Sequence, residues 1–353
     1  MTGKSVNGNP GDKKALADFE FPSAEVTECP YPFYKALRAE APVYKYPGRN
    51  DYLVSRRDDM LQVLRNPDVF SNRVYLGDPA LLAPWQKTWL EHPPHTPGTA
   101  IETSFSLPQS DPPEHPVKRR ALSHLVNTRY IQSCEDTLRR IANELIDSFV
   151  HDGSAELRTQ FADPLALLTI CELAGFPPED RDIFLSWERS GTGHGRRFLT
   201  EQERQTMDKD APERSAYCEE IIKDRMVNPR EDFITEVVQA QLERDGEINL
   251  PYLVSEIGLV LTAGNETTSR LVANTMKLLL ENPDELDKLL ADPSLVPSAI
   301  DEVLRFESPT QWTSRYVLQD TEIGGMPVPK GSYVLNLYGS ADHDESWEDP
   351  EEF

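Results

Sequence analysis

Residues 261–270, LTAGNETTSR, put Gly264, Glu266 and Thr267 in the middle of a run whose apolar spacing is helical. An acid beside a hydroxyl in mostly apolar surroundings can relay a proton. Gly264 removes side-chain bulk, so a flat or bulky ligand can press against the backbone there. A threonine at this place can bond back to a carbonyl one turn earlier and open a local bulge. The plainer reading of the same residues is a glycine that lets two helices pack, beside an exposed Glu266. Three further groups have types and spacing suited to chemistry. Glu302 and Arg305 in IDEVLRFESP are three apart and can pair on one helix face. His115 and Arg119 in SDPPEHPVKRRAL are four apart, after an Asp111 that starts a helix. Two cationic donors on one face suit a carboxylate or phosphate, or else make a solvated basic face. Arg315 follows the segment PTQWTS and is a fixed cation that either points inward or lines an edge strand.

The elements that position these groups follow from the pattern. Helical spacing runs from about Tyr252 to Leu280, with Asn249 as cap, Pro251 in the first turn and Asn282-Pro283 as the stop. The run is apolar on most faces, which predicts burial. An interior Gly costs about 1 kcal/mol and an unpaired buried carboxylate several, so this helix needs a reason to carry both. Early in the chain, PFYKALRAEAP predicts a helix ending before Pro42, PVYKYPGRNDYLVS two strands and a turn, and RRDDMLQVLRNPDVF a helix stopped at Asn66-Pro67. VKRRALSHLVNTRYIQSCEDTLRRIANELIDSFV predicts helix in two pieces, and DPLALLTICELAGF another ending near Gly175. Late in the chain, TSRYVLQDTEIGGMPVPKGSYVLNLYG reads as short strands with turns at Gly324-Gly325 and Lys330-Gly331. Residues 72–110 are too long for a simple connection and read as a functional loop; residues 188–213 are Gly-rich and charged. The expectation is a mainly α, α+β fold. One small sheet, with strands near 42–55 and 315–338, is assembled from both chain ends and packs on a helical body over 113–305. A lead-in over residues 1–20 precedes a single domain over 21–353.

The 353 residues carry 60 acidic and 36 basic side chains, a net charge of −24. Such a surface repels nucleic acid and anionic membrane. No 18 consecutive residues are apolar, and the first twenty hold no signal-type stretch, so a cytoplasmic location is expected. Cys29, Cys134, Cys171 and Cys218 are far apart and form no Cys-x-x-Cys pair, which suits reduced thiols. There is no His-Glu-x-x-His; His92 and His95 sit in a Pro-rich loop, EHPPHTPG, where a metal site is open to them but not expected.

Together and in this order, the segments resemble the cytochrome P-450 family of haem-thiolate monooxygenases, in its soluble bacterial form, from about Tyr31 to Phe353. AGNETT is similar to the family's Ala-Gly-x-Asp/Glu-Thr-Thr oxygen-activating helix, and EVLR, Glu302 to Arg305, to its Glu-x-x-Arg pair. DPPEHPVKRRAL resembles the bacterial Asp-Pro-Pro-x-His segment, and ADHDESWEDPEEF the Asp-rich segment before the haem loop. The resemblance implies haem b, with His115, Arg119 and Arg315 on its propionates. It implies that Ala263 and Gly264 let haem and oxygen approach the long helix, and that Glu266 and Thr267 deliver protons there. Glu302 and Arg305 would be structural. A small hydrophobic substrate and O2 are implied, with Thr262, Gln311, Trp312 and Thr313 in the pocket beside Trp85, Trp89, Phe105 and Phe198. Electrons would come from NAD(P)H through a ferredoxin-type partner, to a monomer. Lys118, Arg120, Arg129, Arg139 and Arg140 form a local basic cluster, either a dock for that partner or solvated helix surface. The family's haem ligand is a Cys in a Phe-Gly-x-Gly-x-His-x-Cys-x-Gly loop, and none of the four cysteines has that context. The resemblance therefore puts the ligand beyond Phe353. The chain as given is expected to be inactive, because the thiolate is what favours O–O cleavage. The alternative is a degenerate, non-catalytic haem or ligand-binding protein.

Overall fold

The computed structural model describes residues 14–78, 106–123, 125, 127–187, 200–202, 205 and 209–353. The chain forms two compact units, residues 1–70 with 310–353, and residues 71–309. The strands are β1 (Val43–Lys45), β2 (Asp51–Val54), β3 (Phe70–Ser71), β4 (Trp312–Val317), β5 (Thr321–Ile323), β6 (Met326–Val328) and β7 (Tyr333–Leu337). Five of them form one sheet in the order β1-β2-β7-β4-β3. β2 runs parallel to β7, whereas β1 with β2 and β4 with β7 are antiparallel. The expected sheet built from both chain ends is therefore present. Its middle strands β2 and β7 are buried along their whole length, apolar except for Asp51 and Asn336. β5 and β6 form a separate hairpin. Gly324 and Gly325 turn it at φ 53° and 82°, a conformation that side chains with a Cβ resist. Helix α1 (Tyr31–Glu40) buries Phe33, Tyr34 and Leu37. Helix α2 (Arg57–Leu64) buries Met60 and Val63 in the same cluster as Val54, Val317 and Val334. The Asp344 carboxylate accepts the Arg57 N–H at 2.8 Å and fixes the start of α2.

The second unit is helical. Its main helices are α3 (Glu114–Leu122), α4 (Glu135–Asp147), α5 (Asp163–Ala174), α6 (Ala211–Val227), α7 (Phe233–Asp245), α8 (Leu250–Glu281), α9 (Pro283–Ala291) and α10 (Val296–Phe306). The expected two pieces after Pro113 are three, because a short helix, Thr128–Ser133, stands between α3 and α4. Asp111 does not cap α3 with its side chain. Its carboxylate takes the Ser71 hydroxyl and the Asn72 N–H, the latter at 2.8 Å, and its carbonyl accepts the His115 N–H at 2.9 Å.

α8 has 32 residues, about 48 Å at 1.5 Å per residue. Asn249 caps it, accepting the Tyr252 N–H at 3.1 Å, and Asn282 ends it. Leu253 and Ile257 of α8 pack in one cluster with Leu167 and Cys171 of α5, Ile222 of α6, and Phe233, Ile234 and Val237 of α7. α5 stops at Gly175, φ 86°, where a Cβ would fall 2.3 Å from that of Asp232. Arg225 of α6 bonds Asp232 at 2.6 Å and the Gly175 carbonyl at 3.0 Å, tying the ends of α5, α6 and α7 together. Among the described residues, no helix is long and apolar enough to cross a membrane.

Candidate active site

α8 changes character along its length. From Tyr252 to Ile257, and again at Val260 and Leu261, it is buried. At its centre Ala263 is exposed, and Thr262, Gly264, Glu266, Thr267 and Thr268 are half-buried. An apolar helix is uncovered where its polar residues lie. The Thr267 hydroxyl donates to the Ala263 carbonyl at 2.8 Å, and that of Thr262 to the Gly258 and Leu259 carbonyls at 3.0 and 3.2 Å. These back-bonds satisfy the hydroxyls without opening the expected bulge: the helix is unbroken from Leu250 to Glu281. The Glu266 carboxylate accepts from Arg270 one turn on, and Arg270 also donates to the Pro309 carbonyl at 3.1 Å. A Cβ on Gly264 would fall 2.7 Å from Ile170 of α5, so this glycine serves helix packing. Ala263 is the residue that borders open space. Asn265 and Ser269 are buried and one turn apart; Ser269 donates to Asp163 at the start of α5.

His115 and Arg119 lie one turn apart on α3. His115 is half-buried. Arg119 is exposed, and its guanidinium has no hydrogen bond or ion pair among the described residues. Arg315 stands in the other unit, half-buried on β4, donating to the Ser314 carbonyl at 2.8 Å. In that unit Trp312 pairs in register with Leu337, and the Thr313 hydroxyl is 2.8 Å from that of Tyr338. The Gln311 carbonyl accepts the Gly339 N–H at 3.3 Å. Glu302 and Arg305 pair on α10 through two bonds of 2.8 and 2.6 Å, with Arg305 buried, a bidentate geometry that holds the helix end in one conformation. Trp85, Trp89, His92, His95, Phe105 and Phe198 lie outside the described residues.

One member of the expected basic cluster does not belong to it. Lys118 is 0% exposed. It donates to Ser110 Oγ at 2.8 Å, lies 3.5 Å from Glu114 Oε2, and sits 5.3 Å from the centre of the Tyr252 ring. The i, i+4 spacing from the buried Glu114 turns it away from solvent. Arg120, Arg129, Arg139 and Arg140 are exposed, with Arg139 paired to Glu135 at 2.9 Å and Arg140 to Glu144 at 2.8 Å. Facing Lys118 is a residue that the sequence reading passed over. Glu256 of α8 is also 0% exposed, and burial pushes its carboxyl up to about 8 against the pull of Lys118. Its signal in the sequence is a lone carboxylate inside the apolar run YLVSEIGLVL.

Burial pushes the Cys171 and Cys218 thiols up to about 12, which makes them inert rather than thiolate donors. Cys29 is exposed and Cys134 half-buried. Among the described residues, no group of three or more His, Cys, Asp or Glu side chains could hold a metal ion.

Comparison with known proteins gives this geometry a context. The Cytochrome P450 family model matches residues 195–353. Cytochrome P450 109 of Bacillus spizizenii is 30% identical over 332 residues, which cover 90% of this chain and 72% of that protein. The vitamin D(3) 25-hydroxylase of Pseudonocardia autotrophica is 29% identical over 324 residues, 90% of this chain and 74% of that one. The crystal structure of CYP109E1 from Bacillus megaterium in complex with testosterone matches with a TM-score of 0.78 at 27% identity, over 94% of this chain and 81% of that chain. With a likeness of this extent, and with the α8 and α10 segments in the order that the resemblance requires, the chain belongs to the cytochrome P450 family of monooxygenases.

Proposed function

We propose that the complete protein, with haem b bound, inserts one oxygen atom from O2 into a C–H bond of a small hydrophobic substrate. Electrons come from NAD(P)H through a ferredoxin-type partner. The observation that carries this reading is the uncovered centre of α8, where Ala263 borders open space and the Thr267 hydroxyl is held on the Ala263 carbonyl at 2.8 Å.

The residues present fit haem. Its two carboxylates need cations: Arg119 has none of its charge engaged among the described residues, His115 stands one turn earlier, and the resemblance adds Arg315. Its flat macrocycle needs a helix face without bulk, which Ala263 supplies. When bound, haem activates dioxygen with the delivered electrons. The protein's part is to position and to move protons. Thr267 Oγ1 is poised to turn from the Ala263 carbonyl and donate at the oxygen site. Glu266, one residue away and anchored by Arg270, is the acid that reloads it. The resemblance would put Thr262, and likewise Gln311, Trp312 and Thr313, against substrate. Glu302 and Arg305 brace α10. Relatives that act on vitamin D(3) or bind testosterone support an apolar substrate with few polar groups.

A non-catalytic haem- or ligand-binding role is the second reading. Two measurements decide between the readings. The ferrous carbon-monoxide difference spectrum reports whether a thiolate holds the haem. Turnover with isotopically labelled dioxygen, a ferredoxin and its reductase should place one labelled atom in each product molecule. A haem spectrum without thiolate character and no labelled product would leave the binding role standing.

A further inference from the structure

Lys118, Glu114 and Glu256 lie away from the α8 centre, and no step above uses them. Arg73 donates to Glu114 at 3.1 Å and lies 3.8 Å from Asp111. Lys118 lies 3.5 Å from Glu114 and 5.3 Å from the centre of the Tyr252 ring, one turn before Glu256 on α8. Two cations thus serve three carboxylates, and of the three Glu256 is the one shut off from solvent completely. Asp111 accepts two hydrogen bonds and Glu114 has both cations. Glu256 is fully buried, and apart from a weak backbone contact from Leu107 its oxygens accept no hydrogen bond. It is the group that gains most from holding a proton.

Position gives the array a consequence. Eleven residues separate Glu256 from Thr267, which on a helix is about 20° in angle and about 16 Å along the axis. Ala263 lies between them on the same stripe. Lys118 is three residues after His115 and adjacent to Arg119. We infer that Lys118 and Glu256 are positioning residues, a buried clasp with the proton on Glu256 that fixes the register of α3 on α8 and so the place of His115 and Arg119 relative to Thr267. The step from register to His115 and Arg119 rests on the proposed haem role; the clasp itself does not.

The test uses Lys118→Met, Lys118→Arg and Glu256→Gln in the full chain. Its readouts are hydrogen exchange of the α3 amides, the infrared carbonyl stretch of neutral carboxyl groups, and haem affinity. Lys118→Met should speed exchange over residues 114–122 tenfold or more and weaken haem binding by a similar factor, with Lys118→Arg recovering part of both. The neutral-carboxyl band at pH 7 should shrink by one group in Glu256→Gln, which keeps parental exchange. The other groups bearing on Glu256 are Lys118 of α3, the Leu107 backbone and Tyr252 of α8; Glu114 and Arg73 act on Lys118, and Arg244 and Asp245 of α7 on Tyr252. None of them changes in Glu256→Gln. Exchange of α3 should therefore rise above about pH 8 in the parent and stay flat in that variant. A folded Lys118→Met with parental α3 exchange, or a pH 7 carboxyl band untouched by Glu256→Gln, overturns the clasp. A parent that takes up no haem defeats the proposed function, and exchange and the infrared band still decide the clasp. If Lys118→Met does not fold, Lys118→Arg and Glu256→Gln carry the same readings.

Discussion

The first third of α8 and its centre belong to one helix yet handle polar groups in opposite ways. Between Tyr252 and Ile257 the helix is sealed, and its one carboxyl, Glu256, faces a lysine that is itself fully buried. Around Ala263 the helix is open, and Glu266 pairs with a half-exposed Arg270 one turn away. Exposed i, i+4 pairs are worth about 0.3–0.5 kcal/mol, whereas breaking one side of a buried pair costs about 3–5 kcal/mol. The difference teaches that ionisable groups at the sealed end are structural. Those at the centre contribute little to stability and can be changed without unfolding the helix.

Substitutions can break this contrast. The largest effect is expected from Lys118→Met, about 3–5 kcal/mol in a denaturant titration, because the buried Glu114 loses the buried cation 3.5 Å away. A pH series follows from Glu256. The folded-state value of Glu256 lies above its ordinary one, so the native state binds the extra proton. Its contribution is fully present below about pH 4.5 and is lost as pH rises to about 8. Unfolding free energy should fall by a few kcal/mol across that window in the parent and much less in Glu256→Gln. Gly264→Val drives a side chain into Ile170 and should cost about 1–3 kcal/mol, read as a lowered Tm. Arg270→Ala should change stability by less than about 0.5 kcal/mol. Charge reversal at Arg120 should slow reduction by a ferredoxin while leaving stability unchanged, and unaltered reduction kinetics would count against a basic dock there.

Much of this architecture is legible in the chain. Asn249, Pro251 and Asn282 mark the ends of α8 because caps and prolines act locally. Gly175 and Gly324-Gly325 mark turns for the same reason. The Glu302–Arg305 pair is legible because both partners sit on one helix. What is not legible depends on which face of a helix meets a distant element. Lys118 reads as surface among Arg119 and Arg120, and only the packing of α3 buries it. Gly264 reads as a ligand-facing gap, yet Ile170, nearly a hundred residues earlier, fills the space. Glu256 sits in an apolar run, and nothing local says that a lysine from another helix faces it.

The most direct test of the central claim is the product formed per electron consumed, compared between the parent and Thr267→Ala, each with haem, a ferredoxin and its reductase. The hydroxyl contributes one back-bond on a half-buried surface, so the variant should fold with less than about 1 kcal/mol lost. The account predicts that electrons are still consumed while product falls tenfold or more, because protons no longer arrive in order at the oxygen site. Equal product per electron in the two proteins would contradict it and remove Thr267 from the reaction.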